Sequence, residues 1–334
     1  MADRRRREPA LSPGQPARHH LVFLDRATLP VPLRRPAFAH TWAEHPQTAP
    51  AEVIQRLAGA TVAITNKVPL TREALAAIPS LRLVAVAATG TDVVDLSACA
   101  EAGVAVTNVR NYAGGAVAEH VFTLLLALRR SLLTHLEVAR GGAWSASGQF
   151  CFHGPAVRDL EGSTLGLIGH GVLSQSVQMR AEAFGMRVLV AERRGATVLR
   201  PGRLAFDEVL AASDVISLHC PLTSETRHLI DRRALALMRP QAILINTARG
   251  GLIDASALLQ ALDEGRLAGA GLDVLDTEPP PTDHPLLRRP DPRLIITPHV
   301  AWASTQSMAR LGEQLVSVIE AWEQGHPRNL VSLS

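Results

Sequence analysis

From about residue 20 onward, short and continuously apolar runs alternate with stretches of helical periodicity. "TVAIT" (61–65), "LRLVAVAA" (81–88) and "VAVTNV" (104–109) read as strands, separated by the helix-like "REALAAI" and "DLSACAEAG". A second series follows: "STLGLIG", "MRVLVAE", "DVISLHC", "AILINT", "LAGAGLDV" and "RLIITPH", with helical patterns between most of them. Strands that are apolar at every position suit burial on both faces, which predicts an α/β chain with two parallel sheets and helical crossovers. A helix from Val117 to about Leu133 separates the two series and is apolar on most faces, as expected of a helix packed between domains. A last helix, from about Ser304 to Trp322, carries Met308, Leu311, Leu315, Ile319 and Trp322 at helical spacing and stops at "EQGHP". It follows the completed second sheet, so it is expected to return to the first domain. The expected division is a leader over 1–19, a discontinuous domain of 20–109 with 302–334, and a second domain over 110–301.

Composition changes this picture little. The chain has 334 residues, 47% of them hydrophobic, enough for two domains with separate cores. No apolar run approaches the length of a bilayer span, "VFTLLLAL" (121–128) being far too short, so no membrane partner is expected. The net charge of +3 resides in the leader, where five arginines face Asp3 and Glu8, and the remainder sums to zero. That leader lacks periodic apolar positions, which predicts disorder, and no nucleic-acid partner is expected from the rest. Cys99, Cys151 and Cys220 are few, odd in number and far apart, and the 13 histidines lack metal-ligand spacing. This predicts unpaired thiols, a cytoplasmic setting and no metal.

Candidate chemistry gathers where the second series of strands ends. Successive strands lead into Gly169-His170-Gly171, Glu192, His219-Cys220-Pro221, Thr247-Ala248-Arg249, Asp273 and Pro298-His299, and in the first series "LRLVAVA" leads into Thr89-Gly90. Parallel sheets bind ligands at the carboxyl ends of their strands, so the series predicts one cleft. Gly169 and Gly171 fill the first two places of a dinucleotide fingerprint, but Ser174 stands in the third. The serine replaces the glycine that lets helix and strand pack closely, and leaves the anion-binding amides at the helix start. Glu192 sits where a carboxylate accepts hydrogen bonds from a ribose diol and repels a 2′-phosphate, favouring NAD over NADP. Arg193 and Arg194 follow it, either softening that preference or standing solvated.

Arg249, Glu278 and His299 come from three neighbouring strand-end loops. A guanidinium grips a carboxylate through two parallel hydrogen bonds, an imidazole passes a proton near neutral pH, and a carboxylate bound to that imidazole orients it. Together they are the parts needed to reduce a 2-oxo acid by hydride transfer. Trp302 either shapes the pocket or starts the last helix.

With these residues in view, the chain resembles the NAD-dependent D-isomer-specific 2-hydroxyacid dehydrogenases. "TLGLIGHG", "LHCPLTSETRHLI", "LINTARGGLID", "GLDVLDTEPPP" and "ITPHVAWAS" carry the likeness, which covers nearly everything after residue 20. Within the family it looks most similar to glycerate dehydrogenases, also called hydroxypyruvate reductases, through "VFLDRATLP", "RRPAFAHTW", "AATGTDVVDL", "QFCF" and "VLVAERRGA". The resemblance implies two doubly wound domains, a flavodoxin-like substrate domain and a Rossmann-type cofactor domain, commonly as a homodimer. It implies Arg249 as the substrate grip, Glu278 as the orienting acid and His299 as the general acid, with amides at Thr89 and Gly90 meeting the substrate carboxylate. For NAD it implies pyrophosphate contacts at Val172 and Leu173 beside Gly169 and Gly171. It also implies a ribose acid at Glu192, an adenine-side wall at Cys220, Pro221 and Thr226, a further cofactor contact at His219, and nicotinamide neighbours at Thr247, Ala248 and Asp273.

The expected activity is hydride transfer between NAD(H) and a small D-2-hydroxy acid or 2-oxo acid, foremost D-glycerate and hydroxypyruvate. The nearest rival is D-3-phosphoglycerate oxidation, set behind it because only a short stretch follows His299. A rival of another class is a non-catalytic NAD-sensing interaction protein on the same fold. Besides Ser174, one departure stands out. Ala113-Gly114-Gly115-Ala116 lies where relatives usually carry serines and threonines, which predicts fewer hydroxyl contacts there.

Overall fold

The computed structural model describes residues 19–331. They form two compact units, one of the residues up to Tyr112 together with those from Thr305 onward, the other of Ala113–Ser304. The expected leader lies outside the described residues except for His19. That histidine is not leader but the first residue of a strand, where its ring meets Thr61 Oγ1 at 3.3 Å and packs edge-on against Trp322.

The first unit is built on five parallel strands: β1 (His19–Phe23), β2 (His40–Glu44), β3 (Val62–Thr65), β4 (Leu83–Val86) and β5 (Ala105–Asn108). Their order, β2-β1-β3-β4-β5, is the flavodoxin-like one. Every residue of β3 and β4 is buried, which is why their sequences are apolar throughout. The apolar pattern predicts only three of the five. β1 opens on two histidines, and β2 runs along the sheet edge, paired to β1 alone, with none of its five residues buried. A strand that buries nothing leaves no apolar signature. The short crossover helices Arg72–Ala76 and Leu96–Glu101 begin where Thr71 and Asp95 accept hydrogen bonds from the amides of Ala74 and Ala98, caps worth about 1 kcal/mol each. The helix Thr305–Glu323 lies against β4 and β5, burying Leu311, Leu315 and Ile319.

The second unit holds six parallel strands, all foreshadowed by apolar runs: β6 (Thr164–Ile168), β7 (Arg187–Ala191), β8 (Val215–Leu218), β9 (Ile243–Asn246), β10 (Gly269–Leu272) and β11 (Leu294–Ile296). The order is β11-β10-β9-β8-β6-β7. Outside β7, Leu204 makes a single parallel bridge to Ala191, with Glu192 N donating to Leu204 O at 2.8 Å and Leu204 N to Val190 O at 3.0 Å. That bridge stands where a doubly wound dinucleotide sheet has its third strand, so the Rossmann order is present with its outer strand shrunk to one residue.

The helix Gly114–Arg129 packs within this unit, against β9, β10 and the helix Val172–Ala183. It ends before the expected Leu133 because Ser131 takes a left-handed φ of 47°, after which a separate helix, Leu132–Arg140, begins. Among the described residues no helix is long and apolar enough to cross a membrane.

Candidate active site

All six strands of the second sheet are parallel, so their carboxyl ends share one edge, and the order in which strands are added reverses between β6 and β8. Open parallel sheets bind ligands at such a reversal. There Gly169 takes a φ of +94°, and a Cβ on it would sit 2.8 Å from the backbone of His219 and Cys220. Only glycine fits a turn pressed that closely to the neighbouring loop. Gly171 then caps the helix Val172–Ala183, and a Cβ on it would meet nothing within 4 Å. The open side of a helix N-terminus is a ready anion site. Val172 and Leu173 follow, 53% and 38% exposed, at the first turn.

Ser174 sits elsewhere. It is fully buried in the helix's packed face, and its Oγ has no hydrogen-bond partner among the described residues. The helix tolerates the extra hydroxymethyl group inside the core, and the mouth of the loop is unobstructed.

Beside the loop lies a cavity of about 510 Å³ whose wall includes Gly169, Gly171, Glu192, His219, Pro221 and Thr226. Glu192, at the end of β7, is 5% exposed, and its carboxylate is held by the Arg200 guanidinium (Nε to Oε2 2.6 Å, Nη2 to Oε1) and by the amide of Arg193 at 2.9 Å. The Arg200 fork, then the backbone donors, push its pKa down to about 2. Arg194 is bound to Asp231 at 2.9 Å. Burial pushes the His219 imidazole down to about 4, and its Nε2 lies 2.8 Å from Ser217 Oγ. Cys220 is a free thiol that burial pushes up to about 11, an inert wall residue. Thr226 Oγ1 donates to Pro221 O at 2.7 Å, closing the loop that carries both.

The other end of the edge, at β9–β11, carries the predicted chemical residues. Asn246, fully buried at the end of β9, turns the chain: its Oδ1 accepts from Ala248 N at 3.0 Å and its Nδ2 donates to Arg249 O at 2.9 Å. Thr247 and Ala248 form the turn, and Thr247 Oγ1 is buried with no hydrogen-bond partner among the described residues. Next comes Gly250, where a Cβ would lie 1.9 Å from the Leu275 carbonyl carbon. That missing side chain lets the Arg249 loop press onto the loop bearing Glu278. Glu278 is fixed in turn, with Oε1 accepting from Leu275 N at 3.0 Å and Oε2 lying 2.6 Å from His299 Nδ1.

His299 takes a left-handed φ of 55°, a conformation that costs energy in a non-glycine residue and occurs often at functional sites. Its backbone is pinned by Asp273: His299 N donates to Asp273 O at 2.8 Å, and the Asp273 carboxylate accepts from Thr297 Oγ1 (2.5 Å), Val300 N (3.0 Å) and Ala301 N (2.8 Å). Burial raises the Asp273 pKa, but these donors and His120, 3.4 Å away, outweigh it and hold the carboxyl below its usual range. With Nδ1 engaged by Glu278, His299 Nε2 has no hydrogen bond among the described residues and is the atom left to meet a ligand.

Arg249, Glu278 and His299 are thus assembled at one end of the edge, and the glycine loop, Glu192 and His219 at the other. Thr89 and Gly90 belong to the first unit, where Thr89 Oγ1 donates to Val109 O at 2.8 Å. Trp302 lies in the turn before the last helix rather than in it. Three residues escape the sequence reading: Asn246, His120 and Arg200. Asn246 ends an apolar strand, a signal that points to it. His120 and Arg200 act at positions that only the fold brings near.

These residues fit a dinucleotide: an open helix start at Gly171, a buried orphan hydroxyl at Thr247 and a cavity at the reversal point. Residues 122–301 match the model of the D-isomer specific 2-hydroxyacid dehydrogenase NAD binding domain. The chain belongs to the D-isomer specific 2-hydroxyacid dehydrogenase family and is an NAD(H)-linked hydroxyacid oxidoreductase. It is 46% identical over 312 residues to a glycerate dehydrogenase of Methylorubrum extorquens, covering 93% of this chain and 98% of that one. It superimposes at a TM-score of 0.78 on an NADPH-dependent glyoxylate/hydroxypyruvate reductase from Sinorhizobium meliloti, 28% identical, over 94% of this chain and 98% of that one. On a D-lactate dehydrogenase from Aquifex aeolicus, complexed with NAD and lactic acid, the TM-score is 0.73 at 30% identity, over 92% and 96% of the two chains.

Proposed function

We propose that the chain interconverts hydroxypyruvate and D-glycerate, with NADH as the working reductant. The His299–Glu278 pair, 2.6 Å apart beside the Arg249 turn, carries this reading. Bound NADH supplies the hydride. Arg249 grips the substrate carboxylate and keto oxygen through its planar fork. His299 donates a proton from Nε2 to that oxygen as it becomes a hydroxyl, and Glu278 keeps the imidazole oriented. In the oxidation direction the same nitrogen accepts the proton. Asp273, Thr247 and Ala248 serve the nicotinamide end, and the amides at Val172 and Leu173 the pyrophosphate. The glycerate dehydrogenase likeness supports the choice of a three-carbon acid.

The chain acts as a homodimer in the cytoplasm. The segment 131–160 supports the first statement, since it exposes Leu132, Trp144, Phe150 and Phe152, Phe150 by 92%, a patch suited to burial against a second copy. Three unpaired cysteines support the second. Initial rates on hydroxypyruvate, glyoxylate, pyruvate and 3-phosphohydroxypyruvate with NADH test the substrate. Hydroxypyruvate is expected to give the highest kcat/KM, and a higher value for the phosphorylated acid would overturn the assignment. No turnover on any of them would favour a non-catalytic, NAD-sensing role. Light scattering on the eluted protein tests the dimer.

A further inference from the structure

The loop that carries Glu278 is held by side chains rather than by its backbone. Residues 276–283 are exposed apart from the half-buried Pro280, and the three prolines at 279–281 have no amide hydrogen. Among the described residues no backbone–backbone hydrogen bond ties residues 277–280 to another segment. Yet two chemical residues depend on the base of this loop. Leu275 N donates to Glu278 Oε1 at 3.0 Å. A Cβ on Gly250 would lie 1.9 Å from the Leu275 carbonyl carbon and 2.3 Å from Asp276 N, so the Leu275–Asp276 peptide is the seat on which the Arg249 loop rests.

His284 fastens that seat. Its Nε2 lies 3.0 Å from Asp276 Oδ1, and because a carboxylate only accepts, Nε2 carries the proton. This bond is the foremost cause that holds the Asp276 carboxyl below its usual range. The ring is 6% exposed, and its Nδ1 is buried with no hydrogen-bond partner among the described residues. An orphaned ring nitrogen costs stability that an apolar side chain of similar size would not, so the histidine is explained by what its other nitrogen holds. Its own turn is anchored: His284 O accepts from Leu287 N at 3.0 Å and Arg288 N at 3.2 Å, and Leu286 is buried in the core.

We propose that His284 is a positioning residue for the reaction: by clamping Asp276 it closes the base of the loop and keeps Glu278 and Arg249 in register with each other. It acts through the Leu275–Asp276 peptide and not on the reacting atoms. One buried strut thereby serves both the orienting acid and the substrate grip. The inference rests on the roles proposed above for Arg249, Glu278 and His299, and adds to them a buried histidine that they leave unused.

Steady-state kinetics of His284→Ala, His284→Gln, Asp276→Ala and the double alanine variant test it, with NADH and whichever 2-oxo acid of the panel above the native chain reduces best. His284→Ala is expected to lower kcat/KM by about 10–100-fold, with kcat falling and KM rising, because Glu278 and Arg249 drift together. Asp276→Ala breaks the same bond from the exposed side, away from the core, and should lose as much; the double variant should lose no more than either. Glutamine, whose amide reaches to where Nε2 stood, should bring kcat/KM back to within about threefold of native. A proton donor whose carboxylate neighbour drifts gives up its proton at lower pH. The alkaline fall of kcat/KM for reduction should therefore begin about one pH unit lower in both single alanine variants.

Melting curves separate this from plain destabilisation, and Asp276→Ala carries the test alone if His284→Ala does not fold. Alanine variants that melt early but keep the native kcat/KM and pH profile overturn the proposal, as do losses that multiply in the double variant. A native chain that reduces none of the acids overturns the functional reading and this inference with it. Native turnover with unmoved variants overturns this inference alone.

Discussion

At the β9–β11 end of the second sheet, each chemical group is held by a partner supplied within a few residues or by the adjoining loop. Asn246 folds the Arg249 turn, Leu275 N holds Glu278, and Asp273 pins the backbone of His299. At the β6–β7 end the arrangement is looser and more charged: an unobstructed helix start, a cavity, and a carboxylate whose chief partner is an exposed arginine eight residues away. The first corner is preorganised for one reaction, which demands fixed geometry. On the proposed reading the second corner holds the part of the dinucleotide remote from the chemistry, where a looser geometry suffices.

Four measurements bear on that contrast. His299→Ala should lower kcat on hydroxypyruvate by roughly 10²–10⁴-fold while AMP titration reads as in the native chain, and a rapid variant would remove the proton donor from the first corner. Asn246→Ala leaves Ala248 N and Arg249 O without their partner. A loss of about 1–3 kcal/mol in stability is expected, with kcat/KM down by about a hundredfold as the guanidinium drifts. Unchanged kinetics would show that the Arg249 turn holds itself.

The third is acidification. His219 has a folded pKa of about 4, below the roughly 6.5 of an ordinary imidazole, so the unfolded chain takes up the proton first. The stability this group contributes is therefore present above pH about 6.5 and is lost as the pH falls toward 4. Melting temperature should fall across that window in the native chain and less steeply in His219→Gln; parallel curves would exclude His219 as the source. The smallest effect belongs to Ser174→Ala, which removes a buried hydroxyl without a partner. A gain of about 1 kcal/mol, read as a rise of about 2–4 °C in melting temperature, is expected, and a fall would mean that the hydroxyl is satisfied in solution.

The two ends also differ in how far the chain announces them. Arg249, Glu278 and His299 lie within a few residues of strands apolar throughout, so locating β9, β10 and β11 nearly locates them. The same periodicity finds all six strands of the second sheet and misses β2, which buries nothing, and β1, whose first half is polar. Ser174 reads as an obstruction only while the loop is a string of letters; in the fold its side chain faces the core. Glu192 was visible as an acid after a strand, but its charge balance depends on Arg200, in a segment with no periodic pattern. His120 is likewise silent, since it reaches Thr297 at 2.8 Å from a helix 177 residues earlier.

The single bridge at Leu204 has a consequence for how such a chain can change. Between Ala191 and Leu204 the backbone leaves the sheet and rejoins it through two main-chain hydrogen bonds that any side chains satisfy. The excursion carries Arg193, Arg194, Arg200 and Arg203 together, apart from the strands that perform the reaction. Residues 193–203 can therefore vary as a block, with the sheet constraining only the two ends of the excursion and the His299–Glu278 pair untouched.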